Sequence, residues 1–140
     1  AAGLALGSGA TAQDAQLAIE LFSAVGSVVD VDEPLMDAVT AVSGSGPAYV
    51  FLLAEAMIAG GIQTGLDPEI ATELVQQTIR GAAELLVEDD RSATSLREAV
   101  TSKGGTTDAA TTVMQDRGFS DIVVDAVVAA RNRGKELGES

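Results

Sequence analysis

The chain contains no histidine and no cysteine among its 140 residues. Their absence excludes a Ser-His-Asp triad, a thiolate nucleophile and the usual zinc sites. Aromatic residues are scarce: Phe22, Phe51, Phe119 and Tyr49 are the whole set. A core must therefore be made of Ala, Val, Leu and Ile, whose side chains suit close helix contacts. Bases are also few, 8 against 21 acids, for a formal charge of −13. That balance repels phosphate backbones and anionic headgroups, so neither nucleic acid nor membrane is expected as a partner, and it fits a salt-rich setting. No uncharged apolar run of about 18 residues occurs, and the first residues lack a basic signal-peptide start. The expectation is a soluble, cytoplasmic chain without a metal site.

What is present is mostly helical pattern. Leu4-Ala5-Leu6 is expected as a short strand. Thr11 with Asp14 three residues on opens a helix whose apolar face is Leu17, Ala18, Leu21, Phe22 and Val25, closed by Gly26. Val28-Val29-Asp30-Val31 is a β-branched strand signal. Strand, helix and strand make a piece of an α/β unit, and two short strands alone form a marginal sheet. Either the chain is a small helical protein with a ragged start, or this piece is the tail of a domain found elsewhere. From Glu33 onward each periodic segment is helical. Residues 47–60, PAYVFLLAEAMIAG, are apolar on nearly all sides, and such a helix must be covered on all sides. Asp67-Pro68 caps a helix to about Val87, with Ala71, Val75, Ile79, Ala82 and Leu86 as its buried stripe. A short helix from Leu96 to Val100, another from the glycine loop to near Gly118, and a last one from Ser120 or Asp121 to Leu137 complete the pattern.

Two glycine motifs are the candidates for chemistry. Ser43-Gly44-Ser45-Gly46-Pro47 is expected to lead a flexible loop into a helix whose first amides are free. It lacks a P-loop lysine and the dinucleotide pattern, so a structural junction is the default reading. Thr101-Ser102-Lys103-Gly104-Gly105-Thr106-Thr107 gathers four hydroxyls, two glycines and one of the two lysines. Gly104 and Gly105 are expected to turn successive N–H groups inward as a nest for a carboxylate or phosphate, beside a helix N-terminus. A polar interhelical turn is the plainer alternative.

The segments DAVTAVSGSGPAYVFLLAEAM (37–57), GGIQTGL (60–66), TIRGAAELL (78–86) and LREAVTSKGGTTDAA (96–110) resemble, in order, pyrroline-5-carboxylate reductase. The resemblance implies a mainly α fold: an all-helical dimerisation and substrate-binding domain over 34–140, preceded by a strand-helix-strand remnant of a Rossmann-type nucleotide-binding domain over 1–33. It also implies reduction of 1-pyrroline-5-carboxylate to L-proline by NADPH or NADH in the full-length enzyme, with no cofactor bound to this chain, and a homodimer with room for higher assembly. By motif, Ser102, Gly104, Gly105, Thr106 and Thr107 receive the substrate carboxylate, and the Thr107 hydroxyl reaches the ring nitrogen as the catalytic contact. Ser43, Gly44, Ser45, Gly46 and Pro47 lie beside the substrate and nicotinamide. Lys103 and Ala93 stand where relatives commonly carry proline, and Asp90 takes the place of an acid near the family's active site. An inactive oligomerisation module and an independent small-anion binder are the alternatives.

Overall fold

The computed structural model describes residues 1–139 of the chain. The helices and strands fall into two compact units, Ala1–Ala48 with Asp121–Ser140, and Tyr49–Ser120. The first unit thus takes in residues 34–48 and nearly all of the last helix together with the N-terminal strands.

In the first unit, β1 (Ala2–Leu4) and β2 (Val28–Asp30) pair in parallel, with Ala2 opposite Val28 and Leu4 opposite Asp30. The strand expected at Leu4-Ala5-Leu6 thus lies two residues earlier. Gly3 supplies a reason: a Cβ there would stand 2.7 Å from Val39 Cγ1, so the chain approaches the strand where a side chain is missing. α1 (Ala12–Ser23) crosses between the strands and starts with the expected capping box. Thr11 Oγ1 accepts from the Asp14 N–H at 3.3 Å, and Asp14 Oδ2 accepts from the Thr11 N–H at 2.8 Å. The helix stops at Ser23, short of Gly26, because the Val25 N–H turns back to the Phe22 carbonyl. Its apolar face is only partly covered here: Ala18 is half-buried, whereas Leu21 is 65% exposed and Val25 86%.

After a 3₁₀ turn (Glu33–Leu35), α2 (Met36–Val39), a π-helical turn (Thr40–Gly44) and α3 (Gly46–Gln63) succeed one another. Together they form one helical run, Glu33–Gln63, which by length and composition is apolar enough to cross a membrane. α7 (Phe119–Gly138) reaches α2 through a glycine, since a Cβ on Gly134 would meet Asp37 Oδ1 at 2.8 Å.

In the second unit, Gly65 at φ +101° turns α3 into α4 (Pro68–Glu88), and Asp67 caps α4 by accepting from the Glu69 N–H at 2.9 Å. Gly61 and Ala71 let the two helices touch, a Cβ on Gly61 standing 3.2 Å from that of Ala71. The expected stripe of α4 is half right. Ala71 and Val75 are buried and Ile79 is half-buried, whereas Ala82 and Leu86 are exposed. α5 (Ala93–Ala99) begins three residues before Leu96 because the Ser92 hydroxyl accepts from the Ser95 N–H. α6 (Thr106–Asp116) ends at Gly118, whose φ of +71° favours glycine.

Ala41, Ala71 and Val75 are the only buried residues among those described, and Phe51 and Leu52 on α3 are 64% and 67% exposed. The accessible surface is 10516 Å² for 14.1 kDa. Two separate compact bodies of half that mass would expose about 8,100 Å² together. The exposed large apolar side chains contribute to that surplus.

Candidate functional site

The loop over 101–107 is shaped by its own backbone. Thr101 anchors it to α5, its hydroxyl donating to the Arg97 carbonyl at 2.6 Å and its N–H to the Glu98 carbonyl at 3.1 Å. The Gly105 N–H donates to the Ser102 carbonyl at 2.9 Å, closing a tight turn that Gly104 completes at φ +74°. A Cβ on Gly105 would come 2.6 Å from Ser102 Oγ and 3.0 Å from its carbonyl oxygen, so a side chain here would crowd the turn and displace the Ser102 hydroxyl. The Gly104 N–H donates to Asp108 Oδ2 at 2.8 Å. The Gly105 amide is therefore engaged within the loop and the Gly104 amide by the first turn of α6.

The open groups lie one step further on. α6 starts at Thr106 with no side-chain cap, and the N–H groups of Thr106, Thr107 and Asp108 meet no acceptor among the described residues. The hydroxyls of Ser102, Thr106 and Thr107 are likewise unpaired. Thr107 is half-buried, and its carbonyl is taken by the Thr111 hydroxyl at 2.9 Å, which fixes the first turn of α6. Three uncapped amides with partial positive charge and three free hydroxyls are a donor set for a carboxylate. Lys103 is exposed and makes no ion pair among the described residues, as expected of an ammonium left in water.

Asp90 is exposed and makes no contact that would assign it a role. Its neighbour Asp89 does have one, which the residue pattern alone did not reveal. Asp89 accepts from the Arg91 guanidinium at 2.7 Å and 2.9 Å and from the Arg91 N–H at 2.9 Å. Those hydrogen bonds and the guanidinium charge hold its carboxyl at about 2 and raise the Arg91 pKa. The signal for it is an acid two residues before an arginine, just ahead of the Ser92 cap. A hollow of about 420 Å³ over Pro68, Glu69, Thr72, Glu73 and Gln76 is an open helix surface that contains none of these groups.

The SGSGP segment, 43–47, lies in the other compact unit. It is not a flexible loop with free amides. The Ser45 N–H donates to the Thr40 carbonyl at 2.8 Å across a π-helical turn, the Ala48 N–H to the Ser45 carbonyl, and the Ser43 hydroxyl to the Val39 carbonyl at 2.9 Å. Pro47 explains the widened turn: it has no N–H, and its ring would strike the carbonyl four residues back in a regular helix. Gly44 passes Thr40 closely, with a Cβ there 3.4 Å from Thr40 Cγ2. The segment offers a small-residue surface rather than donors.

A third glycine stretch, Gly7-Ser8-Gly9-Ala10-Thr11-Ala12, joins β1 to α1 in the manner of a dinucleotide turn. Its chemistry does not fit a pyrophosphate. The capping box fills the start of α1 and places the Asp14 carboxylate there, which Thr11 keeps ionised below the usual range.

A short parallel βαβ piece and a series of helices with many exposed large apolar side chains define a mainly helical chain. Residues 33–137 match the family described as pyrroline-5-carboxylate reductase dimerisation. A pyrroline-5-carboxylate reductase from Synechocystis is 50% identical over 119 residues, covering 85% of this chain and 45% of that protein. The solved structure of a pyrroline-5-carboxylate reductase from Coxiella burnetii superposes at a TM-score of 0.92 and 40% identity, covering 97% of this chain and 51% of that one. The crystal structure of Plasmodium falciparum pyrroline carboxylate reductase with NADP bound gives 0.85 and 32%, covering 94% and 52%. The chain belongs to the pyrroline-5-carboxylate reductase dimerisation family. It spans about half the length of the curated relatives it matches.

Proposed function

We propose that this chain is the dimerising and substrate-binding part of a cytoplasmic reductase that converts 1-pyrroline-5-carboxylate to L-proline with NADPH or NADH. Residues 1–33 are then the tail of the nucleotide-binding domain and 34–140 the helical domain. The observation that carries the reading is the donor set at the start of α6: the N–H groups of Thr106, Thr107 and Asp108, and the hydroxyls of Ser102, Thr106 and Thr107. A planar carboxylate needs several convergent donors and no acidic or nucleophilic catalyst. A chain without histidine or cysteine can therefore perform this role.

The reduced nicotinamide supplies the hydride. This chain orients what receives it. The amides of α6 and the Ser102 and Thr106 hydroxyls hold the substrate carboxylate, which fixes the imine carbon in one position. The imine accepts the hydride in its N-protonated form, so the nitrogen already carries the amine hydrogen; as the C=N π pair moves onto the ring nitrogen, the Thr107 hydroxyl donates to the growing lone pair, a contact stronger in the transition state than in the bound substrate. The pyrophosphate has no fitting site at Gly7 to Ala12, so the nucleotide is held by the other half of the enzyme.

The uncovered faces of α3, α4 and α7 are those of a homodimer, and higher assembly through the remaining surface is compatible with it. Exposed apolar surface on this scale exceeds what soluble monomers show. An oligomerisation module without a catalytic role is the second reading, favoured by that surface alone. Joining the chain to the N-terminal half of the Synechocystis relative separates the two. The fusion is expected to consume NADPH in the presence of 1-pyrroline-5-carboxylate and yield proline, while the chain alone neither binds NADPH nor reduces the imine. A folded, dimeric fusion without turnover would reject the catalytic reading and leave the module.

A further inference from the structure

Three helices end in an acid where the helix dipole calls for a base. The last turns of α1, α4 and α6 contain no base, yet they carry Glu20, Glu88 and Asp116, all exposed. Carbonyls at a helix C-terminus bear partial negative charge, so each of these carboxylates is repelled by its own helix unless dissolved cations screen it. At the end of α4 the effect is compounded. Glu88 is followed by Asp89 and Asp90, and the one nearby base, Arg91, is already held by Asp89. Arg117, beside Asp116, makes no ion pair among the described residues.

The ion pairs do not offset this. Arg80–Glu84, Arg91–Asp89, Arg97–Glu98, Arg133–Glu136 and Lys135–Glu139 all join residues within four positions of each other. Among the described residues no ion pair ties one element to another. Five of the 21 acids have a base, and no other acid makes an ion pair among the described residues, on a chain of net charge −13. Self-association brings two such surfaces together and adds to the repulsion.

We propose that folding and self-association of this chain are driven by ionic strength, with full stability reached only well above physiological salt, where the screening length shrinks from about 8 Å to about 3 Å. The inference stands on charge placement and is independent of the catalytic reading. Thermal unfolding and light scattering of the polypeptide that carries this chain, from about 0.05 M to about 2 M KCl, test it. The melting temperature and the dimer fraction are expected to rise together with salt. Glu20→Lys, Glu88→Lys and Asp116→Lys should each raise the melting temperature by about 2–4 °C in low salt and by less than half of that in high salt. At matched low ionic strength KCl and K₂SO₄ should act equally, since screening depends on ionic strength and salting-out on the anion. A melting temperature and dimer fraction that do not change with KCl would overturn the proposal. So would a gain from the lysine variants that persists undiminished in high salt, or a response to sulfate alone.

Discussion

Two segments that each carry two glycines among hydroxyl residues have opposite fates in this molecule. At 43–47 the serine hydroxyl and the backbone amides find acceptors inside one helical run, because Pro47 widens a turn that then closes on itself. At 101–107 the glycine amides also find internal acceptors, but doing so leaves the next three amides and three hydroxyls without any. The difference lies in the residues just after the glycines. A proline after the first motif is absorbed into a helix already under way, whereas the second motif starts a helix with no side chain to cap it. Glycine content therefore says little about binding, and unsatisfied donors say much.

This contrast is open to attack by substitution in the complete reductase that carries the chain. Gly105→Val drives a side chain into the Ser102 carbonyl and opens the turn, so kcat/KM should fall by about a hundred-fold or more while the dimer persists. Thr107→Val keeps the branched shape and deletes the hydroxyl; steady-state kinetics should show kcat/KM lower by roughly ten- to a hundred-fold, mainly in kcat. Unchanged kcat in that variant would leave the loop as an anion cradle only. Ser102→Ala removes a donor on the carboxylate side and should raise KM by about five-fold with little change in kcat. Ser43→Ala, the matched change in the other motif, breaks one bond to the Val39 carbonyl and should alter kcat/KM by less than about two-fold, with about 1 kcal/mol lost in denaturant unfolding. A larger kinetic effect of Ser43 than of Ser102 would reverse the comparison.

Much of the architecture was legible because it is written in local chemistry. The Thr11–Asp14 box, the Asp67-Pro68 start of α4, the strand-helix-strand order and the all-round apolar α3 each arise from neighbouring residues. The illegible part depends on contacts distant in sequence or on partners outside the chain. β1 sits at Ala2–Leu4 because Val39 approaches Gly3. Ala82 and Leu86 belong to a periodic stripe, yet only its first half is buried within one copy. At the candidate site the residue types were legible and the donors were not. Composition pointed to the glycine N–H groups, and only the Gly105–Ser102 and Gly104–Asp108 bonds show that the free amides are those of α6.

The central claim, that the start of α6 receives a carboxylate, is tested most directly by monitoring backbone amide resonances while the complete enzyme, saturated with oxidised cofactor, is titrated with L-proline. The account predicts that the amides of Thr106, Thr107 and Asp108 move downfield and saturate with a single dissociation constant. The Ser45 amide, already bonded to Thr40, should shift far less. Saturating shifts at Ser45 and Gly46 with Thr106, Thr107 and Asp108 unmoved would contradict it.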